Sequence, residues 1–321
     1  MLIFRSLAEI PPGFGPCVVS VGNFDGVHRG HRWVLEQVKE RARTLAARSI
    51  AVTFDPHPTC ILRPERAPRL ITPLEARLEL LAATEIDAVL VIPFTQELSS
   101  MSAVEFAQSV LCEKLAAVEV HEGSNFRFGH RAQAGVDELR ELGRSLGFQV
   151  RVYEALHRRG MVISSSTVRS LIAAGDVRQA RSLLGHPFFV RSTPARGRGI
   201  GGKLLVPTVN LAEYNELLPA FGVYITCLRI QDRLFEAVTN VGNRPTFGPD
   251  SFAVESHILN FQPVALDETT PLELSFFDRL REEKQWPSPD ALRAQIMRDV
   301  AQAQRYFRLA NQYRRNHSRA L

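Results

Sequence analysis

Between residues 17 and 184 the apolar positions switch repeatedly between two spacings. CVVSVGNF (17–24) is a continuous apolar run of the kind a buried strand needs, and the next segment carries Val34, Val38, Ala42 and Leu45 on one helical face. SIAVTFDP (49–56), a helical stretch over 73–84 and IDAVLVIPF (86–94) repeat the alternation. Ser102 and Glu105 make a capping box ahead of Phe106, Val110, Leu111 and Leu115. AAVEVHEG (116–123) is followed by a helix over 135–147, and FQVRVYE (148–154) by one over 164–175 that closes on Gly175. This repetition predicts an α/β domain, a Rossmann-like parallel sheet with helices on both faces.

The texture changes after Leu184-Gly185-His186-Pro187. FFVRS, VNL, GVYITCLRI, LFEAVTN, VESHILNF and ELSFF are short, β-like and punctuated by Gly and Pro, which predicts an antiparallel barrel or sandwich. A last helix starts at the cap Ser288 with Pro289 as its first residue, burying Leu292, Ile296, Val300 and Phe307. Two domains are expected, 1–186 and 187–321.

Composition narrows the class without choosing a function. The 321 residues, 45% hydrophobic and 23% charged, suit two domains with full cores. No apolar run approaches the roughly 18 residues of a membrane helix, and MLIFRSLAEIPPGFGP lacks the layout of a signal peptide. The expectation is a cytoplasmic protein with no membrane partner. Cys17, Cys60, Cys112 and Cys227 form no CxxC pair and are expected to be small buried hydrophobes. A net charge of +5 fits nucleotide, phosphate or nucleic-acid partners. Only four of the 39 basic residues are lysine, a skew attributable to genome composition. No helix-turn-helix or RNA-binding signature is present, so nucleic acid is not an expected partner. A homo-oligomer is neither favoured nor opposed.

Chemistry concentrates at Gly22-Asn23-Phe24-Asp25-Gly26-Val27-His28-Arg29-Gly30-His31, where a first strand ends and a helix begins. Free amides and the helix dipole make such a turn suited to phosphate, and the glycines let the backbone come close. His28 and His31, three apart, share a helix face. Without a third ligand nearby, they read as contacts to phosphate oxygens rather than as a metal pair. Ser164, Ser165 and Ser166 can cap a second helix facing a triphosphate, with Arg169 gripping it.

GxFDGxHxGH resembles the HxGH nucleotidyltransferases, and the longer string resembles the bacterial bifunctional riboflavin kinase/FAD synthetase family. Thr53-Phe54-Asp55-Pro56-His57-Pro58, Gly123-Ser124-Asn125-Phe126-Arg127-Phe128-Gly129 and Ile163-Ser164-Ser165-Ser166-Thr167-Val168-Arg169 are similar to that family's motifs, in order. The resemblance implies an FMN adenylyltransferase domain. Gly22, Phe24, Asp25, Gly26, His28, His31, Ser164, Ser165 and Arg169 would bind ATP, and Phe54, Pro58, Asn125 and Phe128 the flavin. His28, His31 and Arg169 would be catalytic, FMN would take the adenylyl group to give FAD and pyrophosphate, and Mg2+ would accompany ATP.

In the second half no P-loop is present. The stretch from Gly197 to Asn210 resembles the riboflavin kinase loop that ends in GFPTAN, and Phe221–Tyr224, Asn240–Phe247, Val254–Leu259 and Phe277–Trp286 match further segments. The likeness implies a barrel phosphorylating riboflavin, with Gly197 and Gly199 at the nucleotide, Thr208 and Asn210 at its Mg2+, Glu255 as general base and Arg279 near the flavin. Leu205, Val206 and Val209 depart from the pattern, as do Ser192 and Pro194. An adenylyltransferase with a degenerate kinase domain and a flavin- or nucleotide-sensing protein therefore remain alternatives.

Overall fold

The computed structural model describes residues 1–195, 208–243, 252–261, 264 and 266–318. Chain contacts divide it into two compact units, Met1–Thr167 and Val168–Leu321.

The first unit runs β1 (Leu2–Phe4), β2 (Cys17–Val21), α1 (Arg29–Thr44), β3 (Arg48–Asp55), α2 (Pro58–Leu62), α3 (Leu74–Ala82), β4 (Ala88–Pro93), α4 (Gln96–Ser100), α5 (Ala103–Phe106), β5 (Ala117–Gly123), α6 (Val136–Leu146), β6 (Gln149–Tyr153), β7 (His157–Arg158), β8 (Met161–Val162) and the first turn of α7 (Ser165–Ala173). Its main sheet is parallel throughout, in the order β1-β4-β3-β2-β5-β6. The chain winds outward from β2 through β3 to β4, then returns to lay β5 on the other side of β2. The crevice between β2 and β5 is thus the switch point of the sheet, where ligands of such folds bind.

The α/β expectation holds, with corrections. β1 extends the sheet beyond β4, a three-residue, largely exposed strand that MLIF did not announce. α1 buries Leu35, Val38, Lys39 and Ala42, while Leu45 is the exposed C-cap, because the helix ends one residue before it. The Ser102–Glu105 capping box forms as expected, and α5 then continues as a π-helical stretch, Ala107–Lys114, that buries Val110 and Leu111. Cys17 and Cys227 are buried but Cys60 and Cys112 only half-buried, and all four are free.

The second unit takes the rest of α7, α8 (Val177–Leu184), then β9 (Phe188–Ser192), β10 (Thr208–Asn210), β11 (Gly222–Ile230), β12 (Arg233–Asn243), β13 (Phe252–Ile258), β14 (Leu272–Glu282) and α9 (Pro289–Ser318). α8 packs its Val177, Ala180, Leu183 and Leu184 with this unit, against β9 and β14. The contact boundary therefore lies upstream of the change in texture near residue 186.

The six strands form one antiparallel sheet, β10-β13-β12-β11-β14-β9. Its two edges meet: the Ala195 amide donates to the Asn210 carbonyl at 2.8 Å and the Ala212 amide to the Thr193 carbonyl at 2.8 Å. That seam, with the Pro194–Leu211 bridge between the two bonds, curls the sheet toward a barrel. Ser192 and Pro194 lie on the seam, the Ser192 hydroxyl donating to the Ala212 carbonyl, and Val209 is buried. Inside, Thr226, Thr239 and Ser256 form a buried hydroxyl chain with links of 2.6 and 2.8 Å, so no member is left unsatisfied.

α9 starts at Pro289 on the cap Ser288, as expected. Ala303 and Phe307 are buried against Val223, Ile225, Cys227 and Val238 of the barrel, with Val300 beside them. Leu292 and Ile296, expected in that stripe, are 40% exposed. No helix among the described residues is long and apolar enough to cross a membrane.

Candidate active site

The loop between β2 and α1 is strained where the sequence pointed to phosphate. Phe24 and Val27 hold φ values of 48° and 35°, a region that β-branched and bulky residues avoid, and Gly26 sits at 81°. Buried partners hold this shape. The Asp25 carboxylate accepts from the amides of Ile71 and Thr72 at 3.0 and 2.9 Å, and the Thr72 hydroxyl accepts from the Gly26 amide at 2.9 Å. Asp25 and Gly26 accordingly shape the turn and are not among the residues lining the cleft beside it.

Arg77 on α3, only 1% exposed, reaches the same turn: its guanidinium donates to the Asn23 carbonyl at 2.7 Å and the Phe54 carbonyl at 3.2 Å. It ties the ends of β2 and β3 together. Neither Arg77 nor Thr72 was found by sequence reasoning; an arginine within a helix otherwise reads as a surface charge.

Two histidines open α1. The His31 amide donates to Nδ1 of His28 at 3.2 Å, so His28 is the N-cap. Accepting there places the neutral ring's proton on Nε2. The two rings stack with centroids 3.6 Å apart, and Phe24 meets His31 edge-on at 5.1 Å. A Cβ on Gly30 would stand 3.1 Å from the His28 ring, so glycine makes room for that fold-back. Nδ1 of His31 is buried with no partner among the described residues. A buried nitrogen left without a partner is costly.

Burial lowers the His28 pKa to about 4 and holds His31 well below the imidazole range, the latter helped by His28 and Arg77. Both rings are neutral at pH 7. Because the unfolded pKa is about 6.5, the stability tied to these neutral rings is fully present above it and is lost as pH falls toward the folded values. The melting temperature of the first unit is expected to drop between pH 7 and 4.5, less steeply in His28→Gln. Equal slopes in calorimetry would remove His28 from this account.

Across the cleft, the Ser164 hydroxyl caps α7 by accepting from the Thr167 amide at 3.2 Å, and the Ser165 hydroxyl donates to the Asp25 carbonyl at 2.9 Å. The two helix N-termini are thereby joined through Asp25. Arg169 lies one turn after Ser165 on α7, in the second compact unit.

The cleft itself has a volume of about 530 Å³. Its lining includes Gly22, Phe24, His28, His31, Ser164 and Ser165 from the two turns, together with Phe54, Pro58, Asn125 and Phe128. Phe128 is also core, stacked on Phe126 with centroids 5.4 Å apart, while Asn125 is exposed at the rim.

In the second unit, register places a polar row on the outer face of the barrel. Glu255 on β13 lies between Asn210 on β10 and Asn240 on β12, and Thr208 faces His257 two pairs along. Val209 and Ser256, between them in sequence, turn inward and are buried. α9 covers the neighbouring apolar part of the same face and leaves Glu255 exposed. Asn240 and His257 are additions to the expected set, legible only once the strands are paired. Arg279 is elsewhere: β12 and β11 separate β13 from its strand, and its guanidinium donates to the Phe221 carbonyl at 2.5 Å and packs against Gly175. Gly197, Gly199, Leu205 and Val206 lie outside the described residues.

Comparison with known proteins follows the same division. The FAD synthetase family model matches residues 12–167 and the riboflavin kinase model residues 184–307. A bifunctional riboflavin kinase/FMN adenylyltransferase of Pseudomonas fluorescens is 34% identical over 304 residues, 94% of this chain and 97% of its own. One from Escherichia coli K12 is 32% identical over 295 residues, 91% and 93% respectively. A crystal structure of a macrolide-efflux protein from Streptococcus pneumoniae shares the fold, with a TM-score of 0.84 at 24% identity over 94% of this chain and 98% of that one. The chain belongs to the bifunctional riboflavin kinase/FMN adenylyltransferase family.

Proposed function

We propose that the chain makes FMN from riboflavin and FAD from FMN, with residues 1–186 transferring the adenylyl group and residues 187–321 the phosphoryl group, both in the cytoplasm with ATP as donor. One observation carries the first half: two helix N-termini and two neutral, stacked histidines line one cleft together with Phe54, Phe126 and Phe128. That arrangement accepts a polyphosphate beside a planar ring.

An FMN phosphate oxygen attacks the α-phosphorus of ATP and pyrophosphate leaves. The attacking phosphate is already ionised, so the protein needs no base here, and alignment with charge stabilisation carries the step. Nε2–H of His28 and the ring of His31 donate to oxygens on which charge builds, and Arg169 binds the triphosphate. Phe54, Pro58, Asn125 and Phe128 hold the flavin.

In the barrel, the riboflavin hydroxyl must lose a proton, and Glu255 takes it. Thr208 and Asn210 offer neutral oxygen ligands from one face of β10 beside that carboxylate, a hard donor set that fits Mg2+ shared with nucleotide phosphates. Bound there, Mg2+ would neutralise phosphate charge.

Purified protein incubated with ATP, Mg2+ and either riboflavin or FMN is expected to yield FAD from both, resolved by chromatography. FAD from FMN alone would remove phosphorylation from this reading. No product from either would overturn it.

A further inference from the structure

One acidic side chain in the cleft has no part in this chemistry. The β2–β5 ladder ends at the pair Val19–Val120, at the switch point of the sheet. Two residues further on, the Val21 amide donates to Oε1 of Glu122 at 2.6 Å, so a side chain continues the pairing where the two strands part. Glu122 is 3% exposed and lines the cleft. The bond from Val21 to Oε1 is the one hydrogen bond of this side chain among the described residues. Strand alternation puts Glu122 on the side of Val120, which packs with Phe106 and Phe128. Glu119 and His121 turn the other way, Glu119 toward Arg41 of α1. Burial drives the carboxyl well above the usual carboxylate range, opposed only by the Val21 amide. A group kept protonated in this way offers an O–H donor where a carboxylate would offer acceptors alone.

We propose that Glu122 reads the ligand: its carboxyl donates a hydrogen bond, through the oxygen not bound to Val21, to an acceptor on the edge of a planar nitrogen heterocycle in the cleft, namely the flavin ring. The inference rests on the reading of this cleft as the FMN and ATP site. Flavin and adenine both present acceptor edges. The aromatic side on which Glu122 projects, with Phe54, Phe106 and Phe128, favours the flavin. Unlike a phosphate contact, this bond discriminates among uncharged rings, since a site built around a buried donor rejects a ligand lacking the acceptor.

The test is FMN binding to the full chain, read by quenching of flavin fluorescence from pH 6.5 to 9.5, with ATP binding measured separately by calorimetry. Glu122→Gln keeps an acceptor for Val21 and supplies an N–H donor; Glu122→Met supplies neither. Wild type is expected to weaken wherever in this range the carboxyl ionises, burial having moved that point above the usual carboxylate range. Glu122→Gln should bind like wild type at pH 7 and stay flat. Glu122→Met should lose about tenfold in FMN affinity, one net hydrogen bond, and raise KM for FMN more than it lowers kcat. The other titratable groups at the cleft are His28, His31, Arg127, Arg131, Tyr153 and Glu154. The histidines are held below this window and Tyr153 above its usual value, so they do not mimic the effect.

Glu122→Met binding FMN as tightly as wild type would overturn the inference, as would Glu122→Gln as weak as Glu122→Met. Loss of ATP affinity with FMN binding intact would overturn the flavin assignment in favour of the adenine edge. Wild type binding neither ligand would overturn the reading of the cleft itself, a separate failure.

Discussion

His31→Ala is expected to lower FAD formation from FMN by about 10²- to 10³-fold while leaving riboflavin phosphorylation unchanged. That range is typical for removing one donor aimed at charge developing in a transition state. The structure supports applying it to His31 because the ring nitrogen Nδ1 is buried and unpartnered among the described residues, and the ring is fixed between His28 and Phe24. A ring so held needs little reorganisation when the phosphate arrives. His28→Ala should act in the same direction, since the ring both caps α1 and supports His31. Both variants are assayed from FMN for FAD and from riboflavin for FMN, with circular dichroism to establish folding. Equal damage to the two activities in a folded protein would show that the histidines do not belong to one of two separate sites.

The converse experiment is Glu255→Gln. It is expected to reduce riboflavin phosphorylation by about 10²- to 10⁴-fold, the usual contribution of a positioned base, and to spare FAD formation from supplied FMN. Glutamine keeps the shape of the side chain and its place between Asn210 and Asn240, so the loss would report proton acceptance rather than packing. Glu255 is exposed on the outer face of the barrel, and its removal leaves no buried group unsatisfied. A Glu255→Gln protein phosphorylating riboflavin at the wild-type rate would return this residue to the status of a solvated surface charge.

Much of the fold and of the candidate sites is legible in the amino-acid sequence. The helix over 164–175 and the strand GVYITCLRI appear within two residues of their expected limits because period and capping are local properties. The two turns proposed to bind phosphate are legible for a related reason: their glycines, histidines and serines stand in short contiguous motifs at strand–helix junctions. Expectation and structure part where burial depends on what lies opposite. Leu292 and Ile296 have the spacing of a buried stripe, yet they remain exposed while Ala303 and Phe307 pack on the barrel.

The sequence by itself determined the parallel α/β unit, the β-rich unit, the family and the residues most able to bind phosphate, since those follow from periodicity and from short contiguous motifs. Only the tertiary structure decided which of those residues meet. Asp25 anchors a turn through Ile71 and Thr72, Arg77 braces two strand ends from a third element, and Glu255 acquires Asn240 as a neighbour through strand register. Glu122 is the clearest case, because its role depends on the Val21 amide 101 positions away. Pairings between distant segments leave no periodic trace in either segment, and the protonation of a buried carboxyl depends on the solvent that the fold excludes from it.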